Sequence, residues 1–187
     1  MNKKNLIPLF AAIGLILINT GTLIFTAPLA QNLSDLGSAL GHPWYLRIWA
    51  GSAAGYFYWY TSRLMKKIDC YAYKERILLL TVCMGMVASV LLPYRPYEYP
   101  ELAKWHTRIA MWSTIGYALI FFYYLFELMK KDFLLYTFGF KRYLSLIIFD
   151  CLLYLLNGGV STLLEISFTI GMGILLPSIY YRNNFKE

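Results

Sequence analysis

Long apolar runs, broken by charged residues or by proline and glycine, recur along the whole chain. A run of about 20 apolar residues is long enough to cross the hydrocarbon core of a bilayer as an α-helix. The pattern predicts six such helices, at 6–29, 44–64, 77–92, 105–128, 143–156 and 160–181. We therefore expect an all-α, polytopic integral membrane protein in which residues 1–187 form a single bundle of six transmembrane helices.

The fifth predicted helix is the shortest. Its apolar stretch, 144–156, contains 13 residues and reaches only ~20 Å at the helical rise, against a hydrocarbon core of ~30 Å. It either uses Lys141 and Arg142 as ends that extend to the interface or crosses only part of the bilayer. The preceding segment, 133–140, is predicted to lie along the interface as a short amphipathic piece.

Lysines and arginines are divided unevenly between the two predicted faces of the membrane. Thirteen of the 17 fall on the face that carries both termini, and four fall on the other face. Because loops rich in lysine and arginine stay in the cytoplasm, we expect a multi-pass cell-membrane protein with both termini cytoplasmic. The first helix is expected to remain as an anchor, since its apolar run exceeds the roughly 7–15 residues of a cleavable signal.

Composition excludes several classes of protein. Apolar residues make up 59% of the chain and charged residues 14%, whereas a soluble domain carries about 25% charged residues. A soluble enzyme and a disordered chain are therefore excluded. The formal charge of +7 reflects topology rather than a nucleic-acid partner, because the cations lie in short clusters between apolar runs. The three cysteines form no CxxC or Cys/His grouping, so no metal or cofactor is predicted.

Polar residues that could bind a ligand or take part in catalysis are concentrated on the face opposite the termini. This face has two loops, 30–43 and 93–104, and both histidines of the chain, His42 and His106. Tyrosine and tryptophan in and after the second loop are typical of the headgroup region, and arginine holds phosphate through two parallel hydrogen bonds. We predict a site for a lipid headgroup or another anion here, with simple interfacial anchoring as the alternative. Its candidate ligand-binding residues are Arg47, Arg95, Lys104, Trp105 and Arg108.

Two acidic residues lie within predicted membrane spans. A charge near the bilayer centre costs at least about 2.5–3.5 kcal/mol, so each acid must face protein or water, be paired, or be neutral. Glu165 lies near the outer end of the sixth helix, where its candidate partners are Arg47, His106 and Arg108. Asp150 lies near the midplane with no basic residue at its depth. We expect it to be a neutral acid, acting either as a structural hydrogen-bond donor or as a ligand-binding residue.

The same outer face carries residues suited to acid–base chemistry. By residue type, His106 with Glu165, or Asp35 with His42, fits general acid–base catalysis. If the protein is catalytic, we expect His106 to act as the acid/base and Glu165 to orient it. No HExxH or HxxxH motif supports a zinc hydrolase. A serine nucleophile stays open, although no nucleophile-elbow pattern marks one among Ser34, Ser38, Ser161 and Ser167.

Several of these residues resemble a known group of membrane proteins. The chain resembles the six-span group that includes the bacterial DUF998 proteins and the Frag1/DRAM/Sfk1 proteins. The features that match are the segment 32–37 after the first helix, the proline-containing loop 93–100, His106 at the opening of the fourth helix, and Glu165 in the sixth. The resemblance implies a role in lipid remodelling, lipid distribution or membrane stress, with Asp35, His106 and Glu165 as the matching positions. Ile166 stands where the group usually has arginine, so no shared ion pair is implied there.

Three functions are compatible with this outer face. The leading hypothesis is a protein that binds or modifies a lipid or lipid-linked anionic group at the outer leaflet. The second is a substrate-binding membrane subunit or small transporter for a small solute. The third is a regulatory or immunity protein that acts through helix–helix contacts. Gly51 and Gly55, beside Ala50 and Ala54, let another backbone approach the second helix closely, either within the monomer or from a protein partner.

Overall fold

The computed structural model describes residues 3–184, with side chains for residues 10–182. Over that range the chain is 82% helical and has no strand, which confirms the all-α prediction. Among the cations assigned to the cytoplasmic face, Lys186 and the side chains of Lys3 and Lys4 lie outside the described residues. The helices are α1 (Lys3–Phe25), α2 (Leu33–Gly37), α3 (Pro43–Lys67), α4 (Tyr73–Ser89), α5 (Pro100–Lys131), α6 (Phe133–Asn157) and α7 (Thr162–Asn184).

Six long helices occupy the six predicted positions, but α6 begins earlier than expected. It starts at Phe133, so the prediction that 133–140 forms a separate interfacial piece is wrong. Asp132 caps this start by accepting a hydrogen bond of 3.0 Å from a backbone N–H of the first turn. Lys141 and Arg142 do not interrupt the helix, because both side chains are exposed. With 25 residues, α6 is ~37 Å long at the helical rise.

Two helices are long and apolar enough to cross a membrane, judged by length and composition. They are α5, over Pro100–Lys131, and α7, over Thr162–Arg182. The part of α1 with described side chains, Phe10–Phe25, is also apolar. The other long helices contain polar and small residues among their apolar ones; in α3, Arg47 and Ser52 are examples. The described residues therefore form an all-α protein with two candidate membrane-spanning helices.

The core of the bundle is aromatic. Phe57 of α3 stacks on Tyr117 of α5 with ring centroids 4.7 Å apart, and both are buried. Tyrosine hydroxyls join the helices: that of Tyr117 pairs with Thr61 at 2.9 Å, and that of Tyr56 donates to the Gly173 carbonyl at 2.6 Å. Tyrosine thus stabilises the core, because a buried ring fills space while its hydroxyl bonds to another helix.

The outward faces of the helices are strongly apolar. Large side chains stand exposed on all six long helices, including Leu17 (65% exposed), Met84 (58%), Leu119 (63%), Leu155 (73%) and Ile174 (53%). Soluble monomers rarely expose large contiguous apolar patches. An apolar exterior around an interior with many hydroxyl groups is typical of a bundle that contacts lipid.

Candidate functional site

The connection between α1 and α3 contains the five-residue helix α2, which the hydrophobic pattern did not predict. Asn32 caps it, since its side-chain oxygen accepts from the Asp35 backbone N–H, and the Asp35 carboxylate accepts from the Asn32 backbone N–H, both at 3.1 Å. This reciprocal capping box satisfies two N–H groups at the helix start. Asp35 was predicted as a catalytic candidate beside His42. In the structure its carboxylate caps the start of α2.

α2 packs closely on the beginning of α3. Leu33 and Leu36 are buried and form a small apolar cluster with Leu46. A Cβ atom at Gly37 would lie 2.6 Å from Leu46 Cδ2, so glycine permits this close approach. Gly41, with φ of +74°, then turns the chain into α3 in the left-handed region that glycine favours. The orientation of α2 on the bundle is fixed by this packing.

Glu165 of α7 bonds to α2 from across the bundle. Its Oε2 accepts a hydrogen bond of 2.7 Å from the backbone N–H of Leu33, the first residue of α2, whose N–H has no acceptor within the helix. The first two N–H groups of α7 donate to the carbonyls of Gln31 and Pro28, at 2.7 and 2.9 Å. Glu165 thus pairs with a backbone N–H and not with an arginine or histidine as predicted, because α2 brings an unsatisfied donor to it.

His106 of α5 forms the second link to α2. The side chain is only 3% exposed. Its Nε2 lies 2.7 Å from Ser34 Oγ, and its Nδ1 lies 3.1 Å from the Leu92 carbonyl oxygen. A carbonyl only accepts, so in the neutral ring Nδ1 carries the proton and Nε2 accepts from the Ser34 hydroxyl. The residue that orients His106 is therefore Leu92, through its backbone, and the expectation that Glu165 does so is wrong.

A cavity of about 410 Å³ opens beside these residues; we call it the α2 pocket. It lies between α2, the start of α3 and the connection from α4 to α5, and its volume is in the range of small-ligand sites. Arg47 and Arg95 are exposed at the pocket, whereas His106 is buried. None of the described residues that line it is acidic. Its polar lining includes Ser34, Ser38, Arg47, Tyr94, Arg95 and His106.

Only part of the predicted cationic set faces the α2 pocket. Arg47 and Arg95 line it, whereas Lys104, Trp105 and Arg108 do not. Lys104 instead pairs with a glutamate one turn away at 2.6 Å, and the Arg108 guanidinium lies 5.7 Å from the centre of the Trp105 ring. Arg95 also pairs with Glu98 of its own loop at 2.9 Å, with both side chains exposed. Exposed pairs of this kind are weak because solvent screens them, so Arg95 can exchange Glu98 for an anionic ligand.

Asp150, predicted as a ligand-binding residue or a structural hydrogen bond, lies away from the α2 pocket. It is buried in α6, where its Oδ1 is in hydrogen-bond contact with Ser167 Oγ of α7. Ser167 Oγ also donates to the Leu164 carbonyl at 2.9 Å. A serine hydroxyl has one proton, so both contacts are hydrogen bonds when Asp150 is protonated and donates to Ser167. The geometry thus favours the structural role for Asp150, with Ser167 as its partner in place of a backbone carbonyl.

The small residues of α3 separate into two faces. Ala50 and Ala54 are buried in the bundle, 2% and 3% exposed. Gly51 and Gly55 are exposed, and a Cβ atom at either would meet nothing within 4 Å. Together with Gly14 of α1 they line an open groove of about 470 Å³. The contact within the monomer is therefore made by the alanines, and the two glycines leave a groove on the surface.

Two features of the site were not predicted. The capping box of Asn32 and Asp35 is visible in the sequence as an Asn followed three residues later by Asp, a pattern that marks a helix start. The contact of Ser34 with His106 joins positions 72 residues apart, and no local pattern indicates it. Across residues 3–184, no group of three His, Cys, Asp or Glu residues lies close enough together to hold a metal ion.

Comparison with protein families, with curated proteins and with solved structures finds no match to this chain. The resemblance to the DUF998 and Frag1/DRAM/Sfk1 group therefore stays a hypothesis. Its segment 32–37 has a local structural explanation in the capping box and the buried leucines of α2. The other two matching positions, His106 and Glu165, are the residues that bond to α2 from α5 and α7.

Proposed function

We propose that this protein spans the membrane six times, with both termini in the cytoplasm, and that the α2 pocket binds a lipid or lipid-linked anionic group at the outer leaflet. The apolar outward faces of α1 and α4–α7 support the six-span topology. The single observation that carries the ligand proposal is a pocket lined by two arginines and, among its described residues, by no acid.

The spacing of charges along α3 supports this orientation. Arg47 lines the α2 pocket near the beginning of the helix, and Lys66 and Lys67 lie in its last turn. The separation of 20 positions between Arg47 and Lys67 corresponds to ~30 Å at the helical rise, which is the thickness of a bilayer core. The pocket and the basic end therefore stand at opposite interfaces, and the positive end is expected in the cytoplasm.

Cations from other helices gather at the same basic end. The Lys67 ammonium lies 4.6 Å from the ring centre of Tyr180 in α7, and the Arg182 guanidinium lies 4.0 Å from that of Phe138 in α6. Arg142 lies over the same Phe138 ring at 3.7 Å. The ends of α3 and α7 and the first part of α6 thus present their positive charge on one side, as the predicted topology requires.

The chemistry of the α2 pocket favours a compact anionic group attached to an apolar chain. Guanidinium groups bind phosphate and carboxylate through paired hydrogen bonds, and Arg47 and Arg95 are both exposed to incoming ligand. Leu46 and the segment 90–93 add an apolar wall to the pocket. A cavity of about 410 Å³ accommodates a headgroup and the adjoining linkage, with the chains outside in lipid.

Native mass spectrometry of gently purified protein tests this proposal. We expect the wild-type protein to retain an anionic lipid, and Arg47→Gln to reduce the retained fraction, because the substitution removes a pocket cation. Arg108→Gln is the matched control, since it removes an exposed arginine of α5 that does not line the pocket. Equal retention by all three proteins would show that the pocket does not hold the lipid.

A second candidate function is docking to a protein partner, as for a substrate-binding subunit of a transporter or a regulatory protein. It is favoured by the open groove along Gly51 and Gly55, which nothing in the described chain fills. Co-purification of a membrane protein with the wild type, lost in Gly51→Leu and Gly55→Leu but kept in Arg47→Gln, would favour docking over headgroup binding.

A further inference from the structure

We infer that Ser34 and His106 form a nucleophile–base pair that cleaves a carboxylic ester in an amphiphile held in the α2 pocket. The inference rests on the proposed function for the binding of the substrate's anionic group. It goes beyond that function because it assigns a reaction and a nucleophile. Ser34 lines the pocket, and His106 lies directly behind it.

The geometry of the pair is that of an activated serine. The distance of 2.7 Å between Ser34 Oγ and His106 Nε2 is within the 2.6–3.2 Å range in which a base takes a proton from its nucleophile. A third group orients the base in such sites, and the Leu92 carbonyl oxygen does so here at 3.1 Å from Nδ1. This contact leaves the Nε2 lone pair directed at the serine proton.

Ser34 is held in place by the structure around it. Its neighbour Leu33 is buried and bonds through its N–H to Glu165, while Ser38 Oγ donates to the Ser34 carbonyl at 2.9 Å. A nucleophile on a packed helix is positioned more accurately than one on a free loop. Ser38 also lines the α2 pocket, but its hydroxyl donates to a carbonyl and not to a base, so it serves as an internal comparison.

The layout of the α2 pocket matches an ester next to an anionic group. Arg47 and Arg95 are exposed, Ser34 is half-buried, and His106 is almost completely buried. In a membrane lipid the ester carbonyls lie between the charged headgroup and the chains. A headgroup bound by the arginines therefore places an ester linkage deeper in the pocket, toward Ser34.

The reaction balances with water as the second substrate. Ser34 Oγ attacks the ester carbonyl carbon as its proton passes to His106 Nε2. The bond from that carbon to the alcohol oxygen breaks, and the alcohol leaves with the proton. Water then attacks the carbonyl carbon of the acyl-serine and gives a proton to His106 Nε2. The bond from that carbon to Ser34 Oγ breaks, and Ser34 Oγ takes the proton back from His106. An ester and water become a carboxylic acid and an alcohol, with no change in oxidation state.

A fluorophosphonate probe tests the pair in the full-length protein, because it reacts with base-activated serines without needing the natural substrate. After incubation in lipid nanodiscs, peptide mass spectrometry locates the modified residue. We expect labelling at Ser34, none in Ser34→Ala, and unchanged labelling in Ser178→Ala, which changes a serine of α7 that does not line the pocket. His106→Asn should slow labelling by about 100-fold or more, whereas His42→Asn, which changes the other histidine of this face, should not.

Labelling of the wild-type protein needs no variant to fold, so it decides the inference directly. Absence of probe at Ser34, or equal rates at Ser34 and Ser38, would overturn it, as would normal labelling in a folded His106→Asn protein. Retained anionic lipid without serine labelling leaves headgroup binding intact and rejects the pair. Labelling at Ser34 without retained lipid supports the pair and rejects the proposed ligand.

Discussion

Removing the Glu165 side chain tests whether α2 is held in place from α7. Glu165→Ala deletes the acceptor of the Leu33 N–H, which donates to Glu165 Oε2 at 2.7 Å. Leu33 is 1% exposed, so water does not readily replace the lost partner. Leaving a buried donor unsatisfied costs about 1–3 kcal/mol, which corresponds to a roughly 5- to 150-fold increase in local opening of α2.

Hydrogen exchange measured by mass spectrometry gives the local readout. Peptides that cover α2 should exchange faster in Glu165→Ala by this factor, while peptides from α4 remain unchanged. Glu165→Gln keeps a carbonyl acceptor and should stay within about fivefold of wild type, since only the assistance of the charge is lost. Ser178→Ala is the control on the same helix, because its hydroxyl bonds only to the Ile174 carbonyl.

A Glu165→Ala protein in which the protection of α2 equals that of wild type would refute the reasoning. The bond to Leu33 would then contribute nothing to the position of Ser34. Loss of protection in α2 together with slower probe labelling at Ser34 would instead show that Glu165 acts as a positioning residue for that serine.

Two further predictions concern packing and thiol reactivity. Gly171→Ala should lower thermal stability, because its Cβ would lie 2.5 Å from Leu146 Cδ1 and the Leu146 side chain would have to move between α6 and α7. Such overpacking costs about 1–3 kcal/mol. Gly55→Ala should be neutral or stabilising by up to about 1 kcal/mol, since nothing lies within 4 Å of the new Cβ and alanine favours helix. Thermal melting of both variants in the same detergent measures the difference. Equal losses of melting temperature in the two variants would contradict the prediction. Burial raises the pKa of Cys70, in the connection between α3 and α4, to about 11. Because the thiolate is the reactive form, the alkylation rate of Cys70 should still rise about tenfold between pH 9 and pH 10. The rate of a thiol with a pKa of about 8.5 has nearly levelled off in that range. Peptide-resolved iodoacetamide labelling measures the rate, and a plateau by pH 9 would contradict the buried position.

The sequence by itself determined which segments are helical and where the polar residues collect. Helix formation in an apolar run depends on neighbours along the chain, so the positions of six long helices followed from the hydrophobic pattern. The start of α6 was missed because Lys141 and Arg142 look like an end, and only packing shows that an exposed face carries them without breaking the helix.

The tertiary structure decided which polar residues meet. His106 contacts Ser34, 72 positions away, and Glu165 contacts Leu33, 132 positions away. Residue type alone suggested pairing His106 with Glu165, since an acid beside an imidazole is a common arrangement. The short helix α2 changed that outcome, because its packing against Leu46 brings a free N–H and a hydroxyl to those two side chains. Such contacts depend on how separate helices pack, and no period along the chain encodes them.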